Sequence, residues 1–416
     1  MAVVANPVQV DRAAGARNVA VLVLAAVVAF NLQSGIFAIG PLLPAISSDL
    51  GLSGTAAGTL AAIPALLMGL FAIPGGRLAD RWGADRTIAL GLGLVALAGG
   101  LRGAASGWPM LALMTALFGA GTGILQPAVP PMLRRHFPGR VGMATGVFTF
   151  VWIIGIIVAS GLTGPLIAPL FGGWRGALAF WGALAGIAFA LWMVGMRPWQ
   201  ASAGPIRAAE GAVLSQADLR AAAWSPWRDR SIWIAAALYA GQGLVYFLLV
   251  LWLPTVYADA GISAAGTGAR LMALSAACLP ATFLIPLWSD RIGSRRLPLI
   301  VSAAITVVSA VGFAVATATP QVDWLWPILA GFGTCGILVT VLVLVAEQTP
   351  VGRTGDAAGV VMVVGYIGTT LGPILAGLIR DLTGSFQTAM FMLPVAAVIM
   401  LLLAIAMPAA ETTPPS

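Results

Sequence analysis

The sequence predicts an all-α membrane protein of twelve transmembrane helices, arranged as two pseudo-symmetric six-helix bundles. Three observations predict it. Of 416 residues, 60% are hydrophobic and 8% charged, and the mean hydropathy is +0.98, far outside the balance of a soluble globular chain. Apolar runs long enough to cross a hydrocarbon core of about 30 Å, which takes about 20 helical residues, recur along nearly the whole chain. Short polar motifs repeat at a nearly constant offset across one central polar segment, the mark of an internal duplication.

Span 1 is expected at 19–46, after a polar lead with Arg12 and Arg17. It is too long for a signal core and lacks a convincing cleavage site, so it should stay in place. Spans 2 (54–76) and 3 (87–105) are divided by "GGRLADRWGADR". Span 4 (109–133) ends at Arg134, Arg135 and His136, span 5 (140–164) opens on "GRVGMATG", and span 6 (175–196) closes the first half. The polar segment 197–230 reads as the linker. Spans 7 (231–258), 8 (265–289), 9 (297–319), 10 (324–348), 11 (354–379) and 12 (386–408) form the second half. The expected divisions are therefore a tail at 1–18, a bundle at 19–196, the linker, a bundle at 231–408 and a tail at 409–416. The runs should be helices, because a lone strand cannot satisfy its backbone in lipid and these runs lack the alternation of barrel strands. The 51 glycines and 27 prolines are tolerable, since small residues let helices approach and neighbours satisfy a broken backbone.

The net charge is +7, with 21 arginines and no lysine. With both ends on one side, 17 of those arginines fall on one face; Arg102, Arg175, Arg270 and Arg380 fall elsewhere. That asymmetry fits the positive-inside rule, with both ends cytoplasmic, rather than a nucleic-acid surface. Cys278 and Cys335 sit in apolar runs without metal-ligand spacing and read as small core residues. No His or Cys cluster, no nucleophile with a base and no phosphate loop is present, so neither an enzyme nor a cofactor is expected.

The repeat is explicit. Asp80 in the loop after span 2 and Asp290 in "PLWSDRIGSRR" after span 8 are 210 apart, and "GRVGMATG" before span 5 answers "GRTGDAAG" before span 11 at 213. With these motifs the chain resembles the major facilitator superfamily over essentially its whole length. That family's loop signature, G-x-L-x-D-R-x-G-x-R-R, is matched by Gly76, Leu78, Asp80, Arg81, Gly83 and Arg86, then by Asp290, Arg291, Gly293, Arg295 and Arg296; Pro286 stands where the first copy has Gly76. "NLQSGIFAIGPLLPAI", "GILQPAVPPMLRRHFPGRVGMATG", "GQGLVYFLLVLWLPTVYADAGISAAGTG" and "LGPILAGLIRDLTGS" are similar to the cyanate and 2-nitroimidazole transporter branch. That branch usually has arginine at the position of Gln33 and proline at that of Ser34, and the loss of the arginine weakens the case for an anionic substrate.

The resemblance implies a secondary active or facilitative transporter in the bacterial cytoplasmic membrane. It would move a small polar or anionic solute, cyanate-, nitrite- or nitroheterocycle-like, by alternating access. The implied partners are the solute and the lipid bilayer, with protons left open and a monomer expected. A multidrug exporter of the same superfamily is the alternative; its G-x-x-x-G-P-x-x-G-G run is poorly matched by "GIIVASGLTGPL" in span 5. A transporter-like sensor would need a signalling appendage, and the tails are short.

In that family spans 1, 4, 7 and 10 line a central cavity, and the glutamines well inside spans are Gln33, Gln126 and Gln242. Gln33 and Gln242 are 209 apart, near the repeat offset, and should face each other, offering donors and acceptors to a small polar solute at the repeat interface. Interhelical hydrogen bonding is the competing role. Asn31, about 200° around the helix from Gln33, should face the other way and join helices. Tyr239 and Tyr246 near Gln242, and Trp152 and Tyr366, one residue apart under the 213 offset, are candidate walls on which a planar ring could stack. Trp252 reads as an interface anchor. Arg102 either snorkels to outer headgroups or attracts anions.

At the inner loops, Asp80 is expected to pair with Arg134 or Arg135, and Glu347 with Arg291 or Arg295. With Arg81 and Asp290 these would latch the halves in one state and release them in the other. His136 reads as solvated. No carboxylate lies deep in a lining span, since Asp49, Asp259 and Asp323 are at outer ends and Glu347 at an inner one. Span 4 has Thr115 or Ala116 where proton-driven relatives often carry arginine. A buried proton relay is therefore hard to build, leaving uniport, or coupling through Glu347 or the solute's own proton.

Overall fold

A computed structural model describes residues 7–200, 224–316, 324–350 and 353–408. Twelve helices in it are long and apolar enough to cross a membrane: α1 (Val19–Leu50), α2 (Gly54–Trp82), α3 (Ala84–Arg102), α4 (Trp108–His136), α5 (Val141–Leu170), α6 (Trp174–Met196), α7 (Arg230–Asp259), α8 (Ala264–Ile292), α9 (Arg296–Val315), α10 (Leu325–Gln348), α11 (Asp356–Thr383) and α12 (Phe386–Ala406). Each falls on an expected span. Several overrun the apolar window, as α2 does to Trp82 and α4 to His136, because a helix continues past the point where hydropathy stops. Residues 1–6, most of the expected linker, Asp323 and the tail at 409–416 lie outside the described residues.

Breaks within the spans follow their prolines. Proline removes a backbone donor and crowds the carbonyl four residues back. The helical run of α1 stops at Phe37, four before Pro41. The run of α8 stops at Ala276, four before Pro280, and α12 breaks after Met390, four before Pro394. In α4 a 3₁₀ turn covers Gln126–Ala128 around Pro127, and in α5 a π turn covers Thr163–Ile167 around Pro165.

The halves α1–α6 and α7–α12 meet at the arginine-poor end. There α2 packs antiparallel on α11: a Cβ on Gly58 would strike the Pro373 carbonyl, and one on Gly54 would stand 2.6 Å from the carbonyl of Gly377. Parallel helices α1 and α7 touch where a Cβ on Gly40 would stand 2.5 Å from the Val250 carbonyl. On the other side α5 meets α8 through Gly161 and Gly268, with Ser160 and Ser275 hydroxyls 3.3 Å apart. Asp381, near the end of α11, accepts hydrogen bonds from the Gly54 N–H (2.6 Å), the Thr55 N–H (2.7 Å) and the Thr55 hydroxyl (2.6 Å). It thus caps the N-terminus of α2 from the other half, where the helix dipole favours an anion.

The arginine-rich end is apart. On α5, Gly142, Gly146 and Thr149 are exposed, yet Ile153, Ile156 and Ser160, farther along the same helical stripe, are buried. The stripe is covered only where the other half reaches it.

Two expectations about this scaffold are corrected. Cys278 and Cys335 form a disulfide joining α8 to α10, with Cα atoms 5.3 Å apart; spacing alone could not bring together two residues 57 positions apart. Trp252 is buried, its indole N–H bonded to the Pro373 carbonyl at 2.9 Å and its ring on Phe386. It belongs to the α7–α11 seam, not to a headgroup belt.

Candidate functional site

The amides are placed by helix geometry. On α1, Gln33 shares a stripe with Phe37, one turn on; on α7, Gln242 shares one with Tyr246, also one turn on. Phe37 meets Tyr246 with ring centroids 6.1 Å apart and Phe247 at 5.4 Å. Because α1 and α7 run parallel, each glutamine lies one turn from this aromatic contact toward the arginine-rich end. Each amide is thus one turn from the aromatic contact, on the stripe of its helix that carries that contact. Both residues are 6% exposed, and the Gln33 Oε1 has no hydrogen-bond partner among the described residues. A buried amide oxygen left unpaired is costly in free energy, so the arrangement is suited to a polar guest.

Other candidates are spread around this pair. Gln126, in the 3₁₀ turn of α4, accepts from the Tyr366 hydroxyl at 3.2 Å, a bond between halves. The Tyr366 ring also lies on Gly69 of α2, so this contact marks the arginine-rich limit of the α2–α11 seam. Tyr239 packs on Gly365 between α7 and α11, inside its own half. Tyr246 lies beside the Ser275 hydroxyl of α8. Trp152 is half-buried on α5. Asn31 is buried and donates to the Val27 carbonyl of its own helix at 2.9 Å, a bond within α1 and not the helix-joining one expected.

Arg102 does not snorkel. It is fully buried, its Nη1 donating to the Gly35 carbonyl of α1 at 3.0 Å and its guanidinium lying 4.0 Å over the Phe118 ring of α4. The absence of polar neighbours nearby in sequence concealed this, since the bond reaches back 67 residues.

The loop charges pair differently from expectation. Arg135 binds Asp85 at 3.4 Å, not Asp80, and His136 lies at the same distance from Asp85, buried rather than solvated. Asp85 opens α3, where the helix dipole stabilises a carboxylate; Asp80, Arg81, Arg134 and Arg291 are exposed. Glu347 does meet Arg295, at 2.6 Å, and Asp290 joins them. Hydrogen bonding to Glu347, with lesser help from Asp290, holds the Arg295 guanidinium above its ordinary range. All of these pairs lie within one half, so none of them latches the two halves together in this arrangement.

Sequence reasoning also passed over Asp381. Its signal was a carboxylate in the last turn of α11, where the helix dipole disfavours it. Such a residue needs an outside partner, and it has one at the start of α2.

A family model described as Major Facilitator Superfamily matches residues 23–373 and 257–416. Similar curated proteins include the uncharacterized transporter YycB of Bacillus subtilis, 26% identical over 90% of this chain and 89% of that protein. The 2-nitroimidazole transporter of Escherichia coli is 26% identical over 83% and 84%, and the cyanate transport protein CynX of Escherichia coli 24% over 88% and 91%. Among solved structures, the nucleoside transporter NupG superposes with a TM-score of 0.77 at 14% identity, covering 94% of this chain and 99% of that one; at that identity the likeness is of fold.

Proposed function

Because this chain belongs to the Major Facilitator Superfamily, a family of transporters, we propose that it carries a small polar or anionic solute, of cyanate, nitrite or nitroheterocycle kind, across the bacterial cytoplasmic membrane. Gln33 and Gln242 are its central contacts. What supports this reading is the Phe37–Tyr246 contact between α1 and α7, since each glutamine stands one helical turn before its own member of that contact. With the arginine-rich end cytoplasmic, the arrangement is inward-facing. A solute enters between the separated ends, meets amide donors and acceptors, and is stopped by Phe37, Tyr246 and Phe247. Tyr366, Gln126 and Trp152 bound the pocket.

Return requires the α2–α11 and α5–α8 seams to part and the arginine-rich ends to meet, the rocking of one repeat on the other. In that second arrangement the exposed Asp80, Arg81, Arg134 and Arg291 come within reach of the opposite half. Arg135 with Asp85, and Arg295 with Asp290 and Glu347, keep each half's inner corner fixed as it moves.

Uptake into proteoliposomes of cyanate, nitrite and 2-nitroimidazole, with and without a proton gradient, tests this. For a transported member of the panel, Gln33→Ala and Gln242→Ala should each lower the rate about 5- to 10-fold, the loss of one or two hydrogen bonds. Unchanged rates in both variants would remove the amides from the path.

A further inference from the structure

Arg102 sets a problem that the transport path does not solve. Its side chain is fully buried, and no carboxylate lies within ion-pair distance of it among the described residues. Asp49, the acid at that end of α1, is taken by Arg175 at 2.6 Å and the Trp174 indole at 3.2 Å. Among the described residues Arg102 has one hydrogen bond, to Gly35, and one ring face, Phe118. Its Nε and Nη2 are buried without hydrogen-bond partners among the described residues. A buried cation with unpaired N–H groups is unfavourable unless something neutralises it.

A second orphan lies opposite. The Thr115 hydroxyl of α4 is fully buried and also without a partner among the described residues. Helices α3 and α4 run antiparallel, with Gly91 against Leu125 and Val95 against Gly121. Continuing that register brings Arg102 to within one residue of the level of Thr115. Three guanidinium N–H groups, one on Nε and two on Nη2, and a hydroxyl, each able to donate, thus belong to one layer between α1, α3 and α4.

We propose that this layer is a binding site for one small monovalent inorganic anion, held by Arg102 Nε and Nη2 and by Thr115 Oγ1. The chemistry fixes the class. One fixed positive charge matches one negative charge, and N–H to anion bonds are the stronger, charge-assisted kind. Apolar helix walls and the Phe118 ring disfavour strongly hydrated divalent anions such as sulfate.

The site is separate from the amides. Gly35 and Gln33 are two residues apart, about 200° around α1, so the anion lies behind α1 while Gln33 faces α7. It is nevertheless coupled to the path. Arg102 holds the Gly35 carbonyl just before the α1 break at Ala38, and that stretch carries Phe37, the ring that meets Tyr246. An anion that orders Arg102 therefore orders the break beside the aromatic contact.

Melting of the purified full-length transporter tests the proposal at constant ionic strength, with gluconate replaced stepwise by chloride, nitrite or cyanate and with sulfate as a divalent control. The expected result is a saturable rise of about 2–4 °C with the monovalent anions and none with sulfate. The rise should be absent in Arg102→Gln and need several-fold more anion in Thr115→Val. It should persist in the Gln33→Ala, Gln242→Ala double variant, which separates this site from the transport site and a bystander ion such as chloride from a transported one. No saturable rise in the unaltered protein, or an equal one in Arg102→Gln, overturns the site. If Arg102→Gln does not fold, Thr115→Val decides: weakened anion dependence supports the site, and unchanged dependence overturns it.

Discussion

At the arginine-poor end, α2 and α11 meet through the backbone of Gly54, Gly58 and Pro373, and one carboxylate, Asp381, reaches across to Gly54 and Thr55. At the arginine-rich end, the pairs centred on Asp85 and Arg295 each close inside a single half. The first end is held by close approach and one charge; the second has charge in abundance and is open. The difference teaches that the ion pairs of this protein shape the moving bodies, while small residues decide where those bodies touch.

The two inner corners sharpen the point. Arg295 stands 210 positions after Asp85, and Glu347 stands 212 after Arg135. The repeat has kept a bridge between the same two helix ends and exchanged its signs. What was retained is the attraction, whichever residue carries which charge.

The comparison can be broken most forcefully at Gly58. Gly58→Leu puts a side chain into the Pro373 carbonyl, and overpacking of this kind costs about 3 kcal/mol. The ratio of the two arrangements should move roughly a hundredfold toward separation of α2 from α11. Paired spin labels at Ser53 and Thr383 should read a longer distance, and labels at Arg140 and Ile292 a shorter one. Asp381→Asn is milder. It keeps the shape and weakens three charge-assisted bonds at an exposed position, for about 1–2 kcal/mol and a 5- to 30-fold shift of the same ratio, read by the same label pairs. The smallest effect separates the inner corners. The Asp85 side chain is 5% exposed and that of Glu347 38%, so Asp85→Asn should destabilise the detergent-purified protein by about 1 kcal/mol more than Glu347→Gln. Neither should lengthen the Ser53–Thr383 distance.

The twelve spans were legible because length and hydropathy are properties of contiguous sequence, and the duplication because "GGRLADRWGADR" and "PLWSDRIGSRR" keep a common offset. Nearly the same offset pairs Gln33 with Gln242, and the structure buries both. What stayed hidden depends on contacts between distant segments. The Cys278–Cys335 disulfide, the Gly35 partner of Arg102 and the Asp381 cap on α2 join residues 57, 67 and 326–327 positions apart. Asp85 was passed over because the loop motif drew the reading to Asp80, five residues earlier, although the start of α3 is the better place for a carboxylate.

The central claim is that Gln33 and Gln242 share one pocket, reached from the arginine-rich side in this arrangement. Cysteine introduced singly at 33 or 242 tests it most directly, because the native cysteines are tied to each other and offer no free thiol. With a membrane-impermeant thiol reagent, both positions should react from the arginine-rich side and be protected by a transported solute. Silence from both sides in variants that still transport, or reaction that the solute leaves unchanged, would contradict it.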